Sequence, residues 1–150
     1  MELIQSGARL TPARLNFGEN GTKVFATTGT MSSATYVDLP GLSATSFPVK
    51  KWATSSKLYV TMRFEAFSSA ASTGLRLGVR INGVDYDVAY QYFTSANIYV
   101  PFSGWAYVAS GLAAGTYTVQ ARWKVATGPG VINTHNAISE LDMGVREVAA

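Results

Sequence analysis

The stretch from Ala114 to Thr127, AGTYTVQARWKVAT, restricts what this chain can fold into more than any other. Tyr117, Val119, Ala121, Trp123 and Val125 alternate with Thr118, Gln120, Arg122 and Lys124. A pleated strand puts the first set on one face and the second on the other. A helix scatters both around its circumference. The segment therefore reads as a long, half-buried strand, and its Trp and β-branched residues suit a central place in a sheet.

The same rhythm recurs along the chain. Leu58, Val60, Met62, Phe64 and Ala66 alternate with Tyr59, Thr61, Arg63, Glu65 and Phe67. Leu75, Leu77, Val79 and Ile81 face one way, and Arg76, Gly78 and Arg80 the other. Asn82-Gly83 follows, the residue pair that tolerates the positive φ angles of a type I′ hairpin turn. Val84, Tyr86, Val88 and Tyr90 return on the partner strand, which sets Asp85 and Asp87 on the face of Arg80 and Gly78 and makes Arg80–Asp85 the expected cross-strand pair. Shorter strands are expected at Thr35–Asp38, at Leu42–Val49 with Pro48 marking an edge, and at Ala106–Leu112. In the last strand, Ile138–Val148, the parity slips before Val148, which predicts a bulge near Gly144. Pro101 and Gly104 break the aromatic stretch Gln91–Tyr107. With no convincing helix and no internal repeat, the pattern implies an all-β chain, an antiparallel β-sandwich or jelly roll.

Residues 1–30 are different. Turn signals at Ser6-Gly7, Thr11-Pro12, Gly18 and Asn20-Gly21 interrupt any alternation, and Leu10, Leu15 and Phe17 stand as isolated apolar anchors. Thr11-Pro12 could cap one short helical turn. The segment reads as an extended N-terminal arm laid on its own domain, a neighbouring subunit or a larger assembly, with residues 31–150 forming the sandwich. A first strand with a ragged lead is the alternative.

Composition narrows the chemistry. The chain has 150 residues, no cysteine and one histidine. It is long enough for one domain that buries about 68–70% of its unfolded surface without disulfides or a cofactor. The lone His135 lies in NTHNA without an adjacent acid, so a Ser-His-Asp or Cys-His arrangement has no visible basis. One His and no Cys exclude the ordinary zinc sets. Asp85-x-Asp87 and Glu140-x-Asp142 lack the spacing of a dedicated calcium loop. The aromatic stretch Tyr90–Tyr107 contains no carboxylate pair of the kind glycoside hydrolysis needs. No catalytic residue, metal or cofactor is therefore assigned, and a non-enzymatic role is expected. The net charge is +3, but the basic residues are spread out, so no nucleic-acid site is expected. MELIQSGARL has an acid at position 2 and no apolar core of a secretory signal, and no run reaches the ~18 apolar residues of a membrane span. No membrane partner is expected.

Only 14% of residues are charged, against about 25% in ordinary soluble domains. A neutral, hydroxyl-rich surface suits packing against other subunits, because nothing repels. Tyr92, Phe102 and Trp105 in the aromatic stretch, with Leu10, Leu15 and Phe17 in the arm, are the expected shell or subunit contacts. Exposed Tyr and Trp can also stack on sugar rings. Interface packing is preferred because Pro101-Phe102 and Trp105 punctuate strands rather than line one flat face.

Three stretches carry a family resemblance. GARLTPARLN at Gly7–Asn16 resembles the lead of small structural proteins of tailed bacteriophages. SATYVDLPGLS at Ser33–Ser43 resembles their first sandwich strand. LAAGTYTVQARWKV at Leu112–Val125, followed by a Gly-rich loop and a final strand, resembles their C-terminal end and the last strands of tumour-necrosis-factor and complement-like jelly rolls. The resemblance implies a virion protein, commonly trimeric, whose partners are the major capsid protein or tail proteins. The absence of a repetitive shaft favours capsid decoration (cement) over a minor tail or fibre component that binds a receptor or carbohydrate.

Overall fold

The computed structural model describes residues 21–26, 29–39, 46–134 and 140–149. Among these the chain is all-β, with eleven strands in two antiparallel sheets. They are β1 Gly21–Ala26, β2 Thr30–Met31, β3 Val37–Asp38, β4 Ser46–Lys51, β5 Lys57–Ser68, β6 Thr73–Ile81, β7 Val84–Phe93, β8 Val100–Val108, β9 Gly115–Thr127, β10 Ile132–Asn133 and β11 Glu140–Val148.

Sheet I runs β8–β5–β11–β1, and the short β10 and β2 continue the β11 and β1 positions past the end of β11. Sheet II runs β7–β6–β9, and β3 and β4 pair in succession with the far edge of β9. Only β6 and β7 are consecutive strands joined as a hairpin within one sheet; β4 to β5, β5 to β6, β7 to β8 and β8 to β9 all change sheets. This is the jelly-roll arrangement, in which long-range pairing closes one core between two sheets.

The core is built from the inward positions of the alternating strands. Leu58, Val60, Met62, Phe64 and Ala66 of β5 meet Val119, Ala121, Trp123 and Val125 of β9, with Leu75, Leu77, Val79 and Ile81 of β6 beside them, and all are buried. The Asn82-Gly83 turn has positive φ at both positions, 50° and 79°. Arg80 holds Asp85 through two hydrogen bonds of 2.9 and 2.6 Å, as the hairpin register requires.

Gly21–Ala26, at the end of the stretch read as an arm or a first strand with a ragged lead, pairs with β11 along its whole length. Leu10, Leu15, Phe17 and the Thr11-Pro12 turn lie outside the described residues, as does His135. Three features depart from the sequence reading. Pro101 and Gly104 do not end a strand: both lie within β8, an edge strand, where a proline costs no ladder hydrogen bond on its open side. Gly104 is required because β7 crosses close to it; a Cβ there would sit 2.6 Å from the Ala89 Cβ. The register of β6 against β7 shifts so that Val88 is an extra residue opposite Leu77 and Gly78. Beyond that bulge Ala89 and Phe93 point inward, and Tyr90, expected to continue the parity of Tyr86, is exposed, as is Tyr92.

The third departure concerns β11. Its pairing with β5 and β1 is unbroken through Gly144, so there is no bulge there. The inward position that should be apolar is taken by Glu147, only 1% exposed. Its carboxylate accepts the backbone N–H groups of Trp52 (2.9 Å) and Ala53 (3.1 Å) and the Ser56 hydroxyl. Lys51, equally buried, donates its ammonium to the carbonyls of Ala53 and Thr54. Together the two charges satisfy the loop that carries the chain from β4 in sheet II to β5 in sheet I. Replacing Glu147 by Ala takes the acceptor from the Trp52 and Ala53 N–H groups, while the Ser56 hydroxyl keeps the Ala53 carbonyl at 2.6 Å. The expected cost is about 3 kcal/mol in equilibrium urea unfolding, with a smaller loss for Glu147→Gln, which keeps one acceptor oxygen. Equal stability of Glu147→Ala and wild type would show that the loop is held by other means.

Candidate functional site

The outer face of sheet I carries the two most exposed aromatic side chains among the described residues. Along β8, Phe102 faces inward, so Ser103, Trp105 and Tyr107 face outward. Trp105 is 59% and Tyr107 58% exposed. Tyr59 on β5 is the direct cross-strand partner of Tyr107, and Thr61 of Trp105. The three rings form one cluster, with centroids 5.8 Å apart for Tyr59–Trp105, 5.3 Å for Tyr59–Tyr107 and 5.6 Å for Trp105–Tyr107. The Arg146 guanidinium of β11 lies 4.7 Å from the Tyr59 ring centre, and the Lys57 ammonium 6.0 Å from that of Tyr107. Such contacts orient the rings without covering them.

Beside Trp105 an open groove of about 620 Å³ is lined by Thr61, Arg63, Ser103 and Asp142, with Val88–Tyr90 of β7 on its other bank. Its size is that of a small-ligand site. Among the described residues, no three His, Cys, Asp or Glu side chains converge as metal ligands would.

The sequence-derived contact residues therefore separate. Trp105 sits on the aromatic face. Tyr92 is exposed on the outer face of sheet II, on the other side of the molecule. Phe102 is 9% exposed and packs edge-on against Phe64 at 6.0 Å, so it belongs to the core. Tyr107 and Tyr59, which sequence reasoning did not single out, complete the site. The signal was the odd spacing: Trp105 and Tyr107 share a face, and Phe102, three residues before Trp105, cannot share it in a regular strand. Tyr107 and Tyr59 also reverse the argument against a flat aromatic face. Phe102→Ala is expected to cost about 3–5 kcal/mol and Trp105→Ala less than about 1 kcal/mol in the same unfolding assay; the reverse order would put Trp105 in the core.

The outer face of sheet II carries a set of ion pairs beside the exposed Tyr90 and Tyr92. Arg76 pairs with Asp87, Arg80 with Asp85, and Arg122 with Asp38. The Arg122 Nη2 group also donates to the Tyr36 carbonyl at 2.6 Å. Tyr36 lies across the sheet in a slot that Gly78 leaves open, where a Cβ would come 2.7 Å from its hydroxyl, and that hydroxyl donates to Asp87. Lys124 lies over its ring at 4.3 Å. Burial, and then the bond to the Asp87 carboxylate, raise the Tyr36 phenol far above its ordinary value. Above pH ~10 the unfolded chain therefore gives up this proton while the folded chain keeps it. The Tyr36 contribution to stability is complete below that pH and is lost progressively above it. Tyr36→Phe should flatten the decline of the urea midpoint above pH ~10; an unchanged slope would show that the phenol stays accessible.

No protein-family model matches the chain, and no curated protein matches it. Solved structures similar to it are β-sandwiches of low identity. Eiger TNF from S. frugiperda is 14% identical over 88% of this chain and 95% of that chain, with a TM-score of 0.44. The EclA C-terminal domain, a sugar-binding protein, is 11% identical over 93% and 89%, with a TM-score of 0.30. The VP2 subviral particle of infectious bursal disease virus is 10% identical over 88% of this chain and 39% of that chain, with a TM-score of 0.31.

Proposed function

We propose that this chain is a non-enzymatic structural protein of a bacteriophage particle, assembled in the host cytoplasm and retained in the virion. Its first reading is a capsid decoration protein that binds the major capsid protein and stabilises the shell. The copies associate with one another, as a homotrimer, through the outer face of sheet I. The observation that carries this is the Tyr59–Trp105–Tyr107 cluster, three neighbouring rings on one sheet face of which Trp105 and Tyr107 are open to solvent and Tyr59 is half-buried. Large aromatic side chains on a rigid scaffold are what protein contact surfaces are enriched in, and clustered exposure of this kind marks an association surface.

A second reading, a minor tail or fibre component with receptor or carbohydrate binding, is favoured by the groove beside Trp105. There hydroxyls of Thr61 and Ser103 and the charged ends of Arg63 and Asp142 border an exposed indole face. Sugar rings stack on such faces while their hydroxyls bond to the rim.

Two measurements test the proposal. Light scattering of the purified chain should give the mass of a trimer at micromolar concentration, and Trp105→Ser with Tyr107→Ser should shift it to monomer with an unchanged circular-dichroism melt. A wild type that stays monomeric removes the self-association. Quantitative mass spectrometry of purified particles should give copy numbers near those of the major shell protein; a handful of copies per particle would move the protein to the tail, and none would end the virion reading.

A further inference from the structure

We infer that the outer face of sheet I docks a second copy of this chain, keyed by an ion pair between Arg63 of one copy and Asp142 of the next. The inference rests on the self-association proposed above and names the contact that sets its register.

Arg63 on β5 and Asp142 on β11 are direct cross-strand partners on the outer face, and both are exposed. Among the described residues neither makes an ion pair or hydrogen bond, although they stand opposite each other. The contrast with sheet II is sharp: there Arg76, Arg80, Arg122 and Lys124 each lie within 4.0 Å of a carboxylate. The two unpaired charges of opposite sign border the groove beside Trp105. They sit beside the aromatic cluster, on the two strands at the middle of the sheet face.

The placement of these charges suits a closed ring of copies. In a rotational assembly whose axis runs along the strands between β5 and β11, the β5 side of each copy meets the β11 side of the next. Arg63 then faces Asp142 of the neighbour, and Asp142 faces Arg63 of the neighbour on the other side. The same rotation lays the aromatic cluster of β5 and β8 against the part of β11 at Gly144, which has no side chain to hold the rings off. Desolvation offsets most of the attraction of such a pair, so the charges select the register and the rings supply the area.

The test compares wild type, Arg63→Asp, Asp142→Arg and the double exchange by sedimentation velocity across a concentration series. Both positions are exposed, and the thermal melt of each variant checks that folding is unchanged. Each single reversal puts like charges together and is expected to weaken association at least about tenfold. The double exchange restores it to within roughly threefold of wild type. Singles that associate like wild type, or a double exchange no better than the singles, overturn the ion pair while leaving self-association in place. A monomeric wild type overturns both. Binding of an immobilised neutral glycan that is lost in Asp142→Arg, with association unchanged, would assign the groove to a sugar and overturn the key.

Discussion

The ring of Phe64 joins the two sheets. It stands edge-on to Trp123 of β9 at 6.3 Å and 82°, and to Phe102 of β8 at 6.0 Å and 81°. Trp123 and Phe64 are almost wholly buried. In a strand, side chains alternate strictly, so placing one residue inside fixes the facing of every other residue until a bulge intervenes. With Phe64 inside, Tyr59 and Arg63 are outside. With Phe102 inside, Trp105 and Tyr107 are outside. With Trp123 inside, Arg122 and Lys124 are outside. The candidate site is thus set by the core: the three inward rings determine which rings are left to solvent.

The scarce charge of this chain is unevenly placed. Three arginines and a lysine on sheet II are matched by Asp38, Asp85 and Asp87, and Tyr36 is bound into the same network. Glu147 and Lys51 are spent inside, on the loop between β4 and β5. What remains for the outer face of sheet I is a cluster of rings with a few charges at its margin. A face whose charges are already paired has little to offer a partner, because docking must strip water from groups that gain nothing new. The two faces of the sandwich therefore differ in how their charges are used: those of sheet II are paired within the chain, while Arg63 and Asp142 on sheet I are not.

Much of this was legible in the sequence. The long strands β5, β6 and β9, the Asn82-Gly83 turn and the Arg80–Asp85 pair follow from local alternation and turn chemistry, which act within a few residues. What was not legible depends on neighbours distant in sequence. The extra residue at Val88 exists only relative to β6, so Tyr90 and Tyr92 could not be assigned a face from their own strand. Pro101 and Gly104 resemble breakers, yet one lies on an edge and the other makes room for β7. Glu147 occupies an apolar position because three donors of a loop some ninety residues earlier converge on it. Read alone, that glutamate looks like a slip of parity and invites a bulge at Gly144 that the pairing does not contain.

The edges of the two sheets bear on how copies of such a sandwich can meet. An open edge strand invites addition of further strands without limit, whereas contact through a face can close on itself. On one side of the molecule the edges β7 and β8 lean against each other, and each carries a device that spoils pairing: the bulge at Val88, and Pro101 without an amide hydrogen. On the far edge of sheet II, β4 carries Pro48. Edge-to-edge growth is blocked at these places by the same local chemistry that shapes the strands. The face beside them is flat, aromatic and open. In the proposed self-association, contact would run through that face rather than through open sheet edges, and the opposed charges of Arg63 and Asp142 would favour one register over sliding.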